Sequence, residues 1–265
     1  MHVDLHRNKS ARCGTAGTGQ KAVEMIEIES VQFRYPQSDF LLELPSLNIE
    51  TGQKVAIVGP SGCGKTTLLN LISGIAEPDI GSVSVGGECV SRLSDAARRD
   101  YRIANIGMVF QQFELVEYLN VRDNILLPFA INSTLVLDSE VGSRAAGLAT
   151  AMGLGEKLSR RASQLSQGEQ QRVAICRALI TCPQLILADE PTGNLDPKNK
   201  ALILDLIFDQ ATKQGQTLIV VTHDLGILEG FDRTIDFEQF LTKNAGSKGD
   251  GIEDSVELAA RGKRQ

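Results

Sequence analysis

The stretch Gly59-Pro60-Ser61-Gly62-Cys63-Gly64-Lys65-Thr66 decides the fold that this sequence adopts. It follows the apolar run Lys54-Val55-Ala56-Ile57-Val58, which predicts a strand. The segment from Thr67 to Ser73 follows it, ends before Gly74 and predicts a helix. The chain therefore combines strand, glycine loop and helix with the pattern G-x-x-x-x-G-K-T.

The residue types in this loop are those that bind phosphate groups. Glycines let the backbone curl so that successive N–H groups point inward at phosphate oxygens. The start of the following helix adds unpaired N–H donors and a positive dipole end. The Lys65 ammonium can reach β- and γ-phosphates, and the Thr66 hydroxyl can ligate Mg²⁺. Residues 59–66, the phosphate loop, and Thr67 beside them therefore predict a nucleoside triphosphate site, but they do not indicate how its energy is used.

Length and composition restrict the remaining possibilities. The 265 residues suit one large domain, or one domain with a subdomain, and 42% hydrophobic residues suit a globular core. The net charge of −6 gives no overall basic field for holding nucleic acid. The five cysteines are scattered without a C-x-x-C pair, which favours a reducing cytosol over a zinc site or disulfide framework. No apolar run approaches the roughly 20 residues of a membrane span, so we expect any membrane role to require a partner.

The chain divides into three predicted regions. Residues 1–24 are polar and lack periodicity, which predicts a disordered extension, and residues 243–265 predict a mobile tail. Within 25–242, alternating segments before and after the phosphate loop predict an antiparallel sheet, with a hairpin at Ser82–Gly87. Helical patterns dominate about 113–168, where Asn120 is a plausible N-cap. Later strands alternate with helices, which predicts a mostly parallel sheet.

A second chemical element is the apolar run Leu185-Ile186-Leu187-Ala188, which ends in Asp189 and Glu190. Ligands bind at the carboxyl ends of strands in parallel sheets. Asp189 there can hold Mg²⁺ through water, and Glu190 can polarise an attacking water. The alternative is an ordinary strand end with solvated acids, but the phosphate loop in the same chain favours the functional interpretation.

Three further segments establish a family resemblance. They are Leu165-Ser166-Gln167-Gly168-Glu169, Asp189-Glu190-Pro191-Thr192-Gly193-Asn194-Leu195-Asp196 and Val220-Val221-Thr222-His223-Asp224. Together with the phosphate loop and Gln111, they resemble the ATPase subunit of ATP-binding-cassette (ABC) transporters, from about residue 24 to 240. The Pro-Thr-Gly-Asn-Leu-Asp segment resembles the lipoprotein-release, macrolide-export and cell-division subgroup. The implied fold is α/β: a P-loop NTPase (RecA-like) core with a mostly parallel sheet, an antiparallel β subdomain and an inserted α-helical subdomain.

The resemblance implies a role for each matching residue. Tyr35 would stack on adenine, Gln111 would reach Mg²⁺ and the attacking water, and His223 would contact the γ-phosphate. Glu190, His223 and Gln111 would be catalytic, while Thr66, Gln111 and Asp189 would serve the metal. Asp196 would lie in a loop that crosses a dimer interface. Ser166 and Gly168 would cover the ATP held by a second copy, so that ATP forms part of the interface.

The resemblance also implies partners and a location. ATP and Mg²⁺ are the expected cofactors, nucleic acid is not an expected partner, and two copies would close on two ATP molecules. An integral membrane permease subunit would hold the chain at the cytoplasmic face of the inner membrane. The region Phe113–Val121 would contact that subunit, with candidates Phe113, Leu115, Val116 and Leu119; burial of these four inside the insertion is the alternative.

Two positions prompt specific hypotheses. Gln167 stands where the family usually has glycine; if a positive φ is required there, strain would follow and Gln167→Gly should tighten the ATP dimer or raise activity. Cys63 lies close to a helix N-terminus and to Lys65, which stabilise a thiolate. It would then be the most reactive thiol of the folded part, and ATP would shield it.

Other functions remain open at this stage. A cassette ATPase could drive DNA or ribosome work, although two cassettes, a coiled-coil insertion or strongly basic segments are absent from the sequence. A regulatory module could act on a membrane partner without transport. A P-loop kinase would transfer phosphate to an acceptor, which ATP turnover without a phosphorylated acceptor would argue against.

Overall fold

The computed structural model describes residues 23–38, 40–193, 195 and 197–240. Most of the predicted N-terminal extension, the whole predicted tail over 243–265 and Asp196 lie outside these residues. The strands are β1 Glu24–Arg34, β2 Leu41–Glu50, β3 Lys54–Val58, β4 Ile80–Val85, β5 Ile106–Val109, β6 Leu185–Asp189, β7 Thr217–Thr222 and β8 Arg233–Asp236. The helices are α1 Lys65–Ile72, α2 Asp95–Asn105, α3 Val121–Ile131, α4 Ser139–Ala151, α5 Gln167–Leu179 and α6 Pro197–Gln214.

A five-stranded parallel sheet in the order β5-β6-β7-β3-β8 forms the centre of the fold. Successive residues of its strands point to opposite faces, because side chains alternate along a strand. Leu185 and Leu187 thus enter the apolar cluster shared with α1 and the antiparallel strands, whereas Ile186 and Ala188 enter the cluster shared with α3 to α6. Both faces are covered, which explains why these strands read as continuous apolar runs.

The second sheet is antiparallel and has the order β2-β1-β4. The predicted hairpin after Ser82 is wrong, because β4 pairs with β1 and the chain beyond Gly87 forms no second strand. Only an isolated bridge between Val85 and Glu88 closes the turn, and a short 3-10 turn over Val90–Arg92 follows.

The predicted helical insertion is present as α3 and α4, which lead into α5. The side chain of Asn120 accepts the N–H of Asp123 at 2.8 Å and caps α3, as predicted. The side chain of Asp138 accepts the N–H of Val141 at 2.9 Å and caps α4. These caps satisfy N–H groups that have no partner within the helix and so fix where each helix begins.

The last strand of the parallel sheet, β8, has only four residues. The structure ends β8 at Asp236, whose Oδ1 accepts the N–H of Glu238 at 3.0 Å. This bond turns the chain into a 3-10 turn over Phe237–Phe240. The fully buried Phe237 side chain packs against the phosphate loop near Gly59 and Gly64. No helix within the described residues is long and apolar enough to cross a membrane.

Candidate functional site

The carboxyl ends of β3, β6 and β7 meet at one edge of the parallel sheet, because the three strands are adjacent and parallel. The phosphate loop follows β3, Glu190 follows β6 and His223 follows β7. A cleft of about 350 Å³ lies at this edge. It is lined by Tyr35, Phe40, Ser61, Gly62, Gly64, Lys65, Thr66, Thr67, Gln111, Asp189, Glu190, Val221 and His223.

Lys65 is folded into its own loop. Its ammonium donates to the carbonyl oxygens of Gly59 and Pro60, both at 2.8 Å, and its residue is only 7% exposed. Gly64 caps α1 with φ 104°, a conformation that a side chain would strain. A Cβ at Gly64 would also lie 2.9 Å from Cζ of Phe40. The loop thus has a fixed curl with a buried cation at its centre.

Thr66 and Asp189 bring two oxygen donors together between α1 and β6. The Thr66 hydroxyl donates to Oδ2 of Asp189 at 2.8 Å. Burial raises the pKa of Asp189; the Thr66 hydrogen bond opposes this effect, and the neighbouring Glu190 charge adds to it. A hydroxyl and a carboxylate in contact are the oxygen ligands that a hard divalent cation takes.

Glu190 has a backbone conformation that is unusual for a residue with a side chain. Its φ is 46°, in the left-handed region, which costs roughly 1–3 kcal/mol at such positions. The following Pro191 disfavours the ordinary helical conformation at Glu190. The N–H of Glu190 donates to the carbonyl of Val221 at 2.9 Å, and its carbonyl accepts from Gly193 at 3.0 Å. These bonds hold the strained residue at the cleft.

The Glu190 carboxylate contacts the end of β7 through both oxygens. Oε1 lies 2.7 Å from Nδ1 of His223, and Oε2 accepts the Thr222 hydroxyl at 3.3 Å. The His223 side chain is 67% exposed, so its other face remains open to the cleft and to solvent. The sequence did not point to Thr222 as a partner of Glu190, because nothing in the pattern specifies which strand neighbours β6.

Tyr35 lies over the first turn of α1. Its hydroxyl is 3.1 Å from Oγ1 of Thr67, and its ring packs edge-on against Phe33 with 4.8 Å between centroids. Phe40 shares this side of the cleft, 6.0 Å from the Tyr35 ring. Phe40 is a lining residue that was not predicted, although its place five positions after Tyr35 offered a signal, a second aromatic residue.

Gln111 lines the cleft, beyond the end of β5. A Cβ at Gly193 would lie 3.4 Å from the Gln111 side-chain nitrogen. Gln111 therefore lies where the parallel core meets the segment that leads into the helical insertion, next to the turn that follows Glu190.

Ser166 and Gly168 do not join the cleft of their own chain. Ser166 caps α5 by accepting the N–H of Glu169 at 3.4 Å, while the Glu169 carboxylate accepts the N–H of Ser166 at 2.9 Å. This reciprocal pair is a capping box. Lys157 forms an ion pair with Glu169, and its hydrogen bond is the main cause of the lowered pKa of Glu169, with the Ser166 N–H second.

Gln167 is the first residue of α5 and does not belong to the residues with positive φ. The strain hypothesis for this position is therefore wrong in this structure: the capping box gives Gln167 helical geometry that any side chain adopts. We expect Gln167→Gly to give no gain from strain relief and to destabilise α5 by up to about 1 kcal/mol. Thermal unfolding and ATP turnover of the variant check this; a tighter ATP dimer with unchanged stability would contradict it.

The structure also opposes the hypothesis that Cys63 reacts first. Cys63 is buried, with its sulfur 3.8 Å from the Lys65 nitrogen, whereas Cys182 is exposed. Burial raises the pKa of Cys176 to about 12, which keeps it a thiol at neutral pH. We expect brief alkylation at pH 7.5 to label Cys182 ahead of Cys63 and Cys176, because the reagent needs access and a thiolate. Peptide mass mapping over a time course checks the order, with Cys182→Ser as the control; Cys63 labelling first would contradict it.

Comparisons with known proteins agree with this geometry. The ABC transporter family matches residues 42–193, more than half of the chain. The lipoprotein-releasing system ATP-binding protein LolD of Bacteroides thetaiotaomicron is 41% identical over 80% of this chain and 95% of the relative. LolD of Xanthomonas axonopodis pv. citri is 36% identical over 84% of this chain and 91% of the relative.

Solved structures give the same result. The dimeric post-hydrolysis structure of the ATP-binding cassette MJ0796 bound to ADP and Pi has a TM-score of 0.70 and 33% identity, covering 80% of this chain and 95% of that chain. CbiO1 from Clostridium perfringens, described as part of the ABC transporter complex cbiONQ, has a TM-score of 0.69 and 28% identity, covering 77% of this chain and 80% of that chain. The α/β core with its antiparallel and helical subdomains is thus the fold predicted from sequence. The chain belongs to the ABC transporter family as an ATP-binding and ATP-hydrolysing subunit.

Proposed function

We propose that this chain powers release of lipoproteins from the inner membrane by hydrolysing Mg-ATP at the interface of two copies. The single observation that carries the enzymatic part is the cleft where the phosphate loop, Asp189, Glu190 and His223 meet. The resemblance to LolD over 95% of one relative's length supports the transport class and a place at the cytoplasmic face of the inner membrane, held by the permease.

The residues around the cleft divide the work of hydrolysis. The loop N–H groups and Lys65 bind the phosphates, while Tyr35, a residue that is 40% exposed, offers its ring as a stacking surface for adenine. Glu190 orients and activates the attacking water. His223 uses Nδ1 to hold Glu190, so that its other nitrogen can face the γ-phosphate. Gln111, at the cleft beyond β5, senses the metal and the attacking water.

The residues present fit a magnesium ion. Thr66 and Asp189 supply a hydroxyl and a carboxylate that already share a hydrogen bond. The nearby Lys65 charge favours the ionised form of Asp189. Bound Mg²⁺ would neutralise phosphate charge. Thr66 would ligate it directly and Asp189 through water, with Gln111 close by.

A second copy would complete each site. The Ser166 residue is exposed and lies outside its own chain's cleft, at the N-terminal end of α5. By capping α5, Ser166 fixes where the helix begins. The N-terminal end of α5 is then suited to contact the γ-phosphate held by the other copy. Gly168 beside it is buried against Asn199. Asp196 is proposed as part of the same interface from sequence alone.

A groove of about 280 Å³ between the parallel core and the helical insertion is the proposed seat of the permease. It is lined largely by apolar residues, including Ile75, Ile103, Met108, Phe110, Leu127 and Ile131. Arg177 donates to the carbonyl oxygens of Phe113 and Glu114 and so fixes the segment after Gln111 along its rim. Leu115 is half-buried and packs against the core, which favours burial for that candidate, whereas nearby Tyr118 is 78% exposed.

Purification from mild detergent with a tag on the chain tests the partner and the substrate class. We expect an integral membrane subunit to accompany the chain, and reconstituted vesicles to release a lipoprotein only with ATP. A co-purifying subunit whose vesicles hydrolyse ATP without moving lipoprotein would favour the alternative, a regulator of the cell-division type. Ile131→Asp, at a groove residue that is 65% exposed, should abolish co-purification while preserving ATP binding; retention of the subunit would contradict the docking assignment.

A further inference from the structure

The loop that carries His223 is largely exposed to solvent. Leu225 and Gly226 are exposed, and the His223 side chain itself is 67% exposed. The residue that ties this loop down is Asp224: its Oδ1 accepts the N–H of Gly226 at 3.0 Å and its backbone N–H donates to the Thr222 hydroxyl at 3.0 Å. Asp224 is therefore hydrogen-bonded both to the residue two positions before it and to the residue two positions after it.

A lysine from another element completes this arrangement. Lys200, in the first turns of α6, places its ammonium 2.9 Å from Oδ2 of Asp224. Both side chains are about 30% exposed, 28% for Lys200 and 31% for Asp224, so the pair is less screened than an open surface pair. The same helix carries an open pair for comparison, Lys213 with Asp209 at 2.6 Å, whose side chains are 62% and 48% exposed.

A continuous chain of hydrogen bonds leads from Lys200 to the proposed base. Lys200 bonds Asp224, the Asp224 N–H bonds the Thr222 hydroxyl, and that hydroxyl bonds Oε2 of Glu190. The Thr222 hydroxyl thus accepts the Asp224 N–H and donates to Glu190, a combination that one hydroxyl can make. His223, between Thr222 and Asp224, bonds the other oxygen of Glu190. The Lys200–Asp224 ion pair therefore affects the position of both groups that contact the Glu190 carboxylate, the Thr222 hydroxyl and the His223 ring.

We infer that Lys200 and Asp224 are positioning residues that tie α6 to the loop after β7 and hold His223 and Thr222 against Glu190. Neither residue reaches the cleft. The inference rests on the proposed roles of Glu190 and His223.

The test compares steady-state ATP hydrolysis by the full chain in three variants: Lys200→Met, Asp224→Asn and the double variant. Asn at 224 keeps an oxygen for the Gly226 N–H, so the change removes the charge and not the turn. We expect kcat to fall about tenfold in each single variant, with KM for ATP within about twofold, because misplaced groups impair chemistry more than binding. The double variant should be no worse than either single one, since both remove the same interaction.

Two controls separate positioning from stability. Lys213→Met removes the exposed pair on the same helix and should leave kcat unchanged, and Lys200→Arg keeps a cation and should restore most of the turnover. Melting temperatures of Lys200→Met and Lys213→Met should match. A normal kcat in Lys200→Met, an additive double variant, or loss that follows the melting temperature would overturn the inference.

The His223→Ala variant distinguishes failure of this inference from failure of the proposed function. If His223→Ala hydrolyses ATP normally, the role assigned to His223 and the inference both fail. If His223→Ala loses turnover while Lys200→Met keeps it, the site assignment stands and the inference alone is overturned.

Discussion

Glu190→Gln is expected to lower ATP turnover by about a thousandfold, within the range for loss of a general base, while ATP binding persists. Glutamine keeps the length of the side chain and an oxygen that can accept from Thr222 or His223, which bond the two carboxylate oxygens at 3.3 and 2.7 Å. The variant loses only the charge that activates water. With hydrolysis blocked, the ATP-bound dimer should accumulate, because the dimer reopens only after ATP has been hydrolysed.

Size-exclusion chromatography with and without Mg-ATP, beside a phosphate-release assay, measures both effects. Glu50→Gln is the matched control, since Glu50 is exposed at the end of β2 and outside the cleft. It should hydrolyse ATP at the wild-type rate and elute as the wild type does. A Glu190→Gln protein that stays monomeric with Mg-ATP and releases phosphate at a near-normal rate would contradict the assignment of Glu190 as the base.

Much of this fold could be predicted because its signals are local. The run Leu185–Ala188 is apolar at every position, and that continuity follows from burial on both faces of a parallel sheet. The N-caps at Asn120 and Asp138 are also local, since each side chain bonds an N–H three residues later. The predicted strands at Lys54–Val58 and Leu185–Ala188 accordingly lie within one residue of β3 and β6.

The errors come from interactions between distant segments. Whether Ser82–Val85 pairs with the chain after Gly87 or with β1 depends on which partner buries its apolar face, and sequence spacing does not decide that. Gln167 stands where the family usually has glycine, whereas the capping box between Ser166 and Glu169 sets its backbone. Contacts of Phe40 with the loop, and of Lys200 with Asp224, join residues that only the tertiary fold brings together.

The location of the site is easier to predict from sequence than the geometry within it. Strand-end carboxylates and a glycine loop are sequence signals of phosphate chemistry. The positive φ of Glu190 is not a sequence signal, because a bond of its N–H to Val221, a residue distant in the sequence, holds it in place. A strained residue that the surrounding structure holds in place is typical of functional sites.

Lys65→Met is expected to weaken ATP binding by about a hundredfold or more and thereby to abolish turnover at millimolar ATP. The Lys65 ammonium now bonds two carbonyl oxygens of its own loop at 2.8 Å, and bound phosphates would replace one or both of these acceptors. Hydrogen bonds to charged groups contribute about 1.5–3 kcal/mol each, and a tenfold change in affinity corresponds to about 1.4 kcal/mol. Two such bonds therefore account for the predicted loss, and methionine fills the same volume without replacing them.

Isothermal titration calorimetry with Mg-ATP measures the loss directly. Lys54→Met is the control, because the Lys54 ammonium lies 5.9 Å from the Phe208 ring centroid, and Lys54 is outside the cleft. Lys65→Arg should also bind poorly, since Lys65 is 7% exposed and a planar guanidinium cannot occupy the position of a compact ammonium. Matching melting curves would establish that Lys65→Met is folded. If that folded variant binds ATP within about threefold of the wild type, Lys65 is not a phosphate ligand.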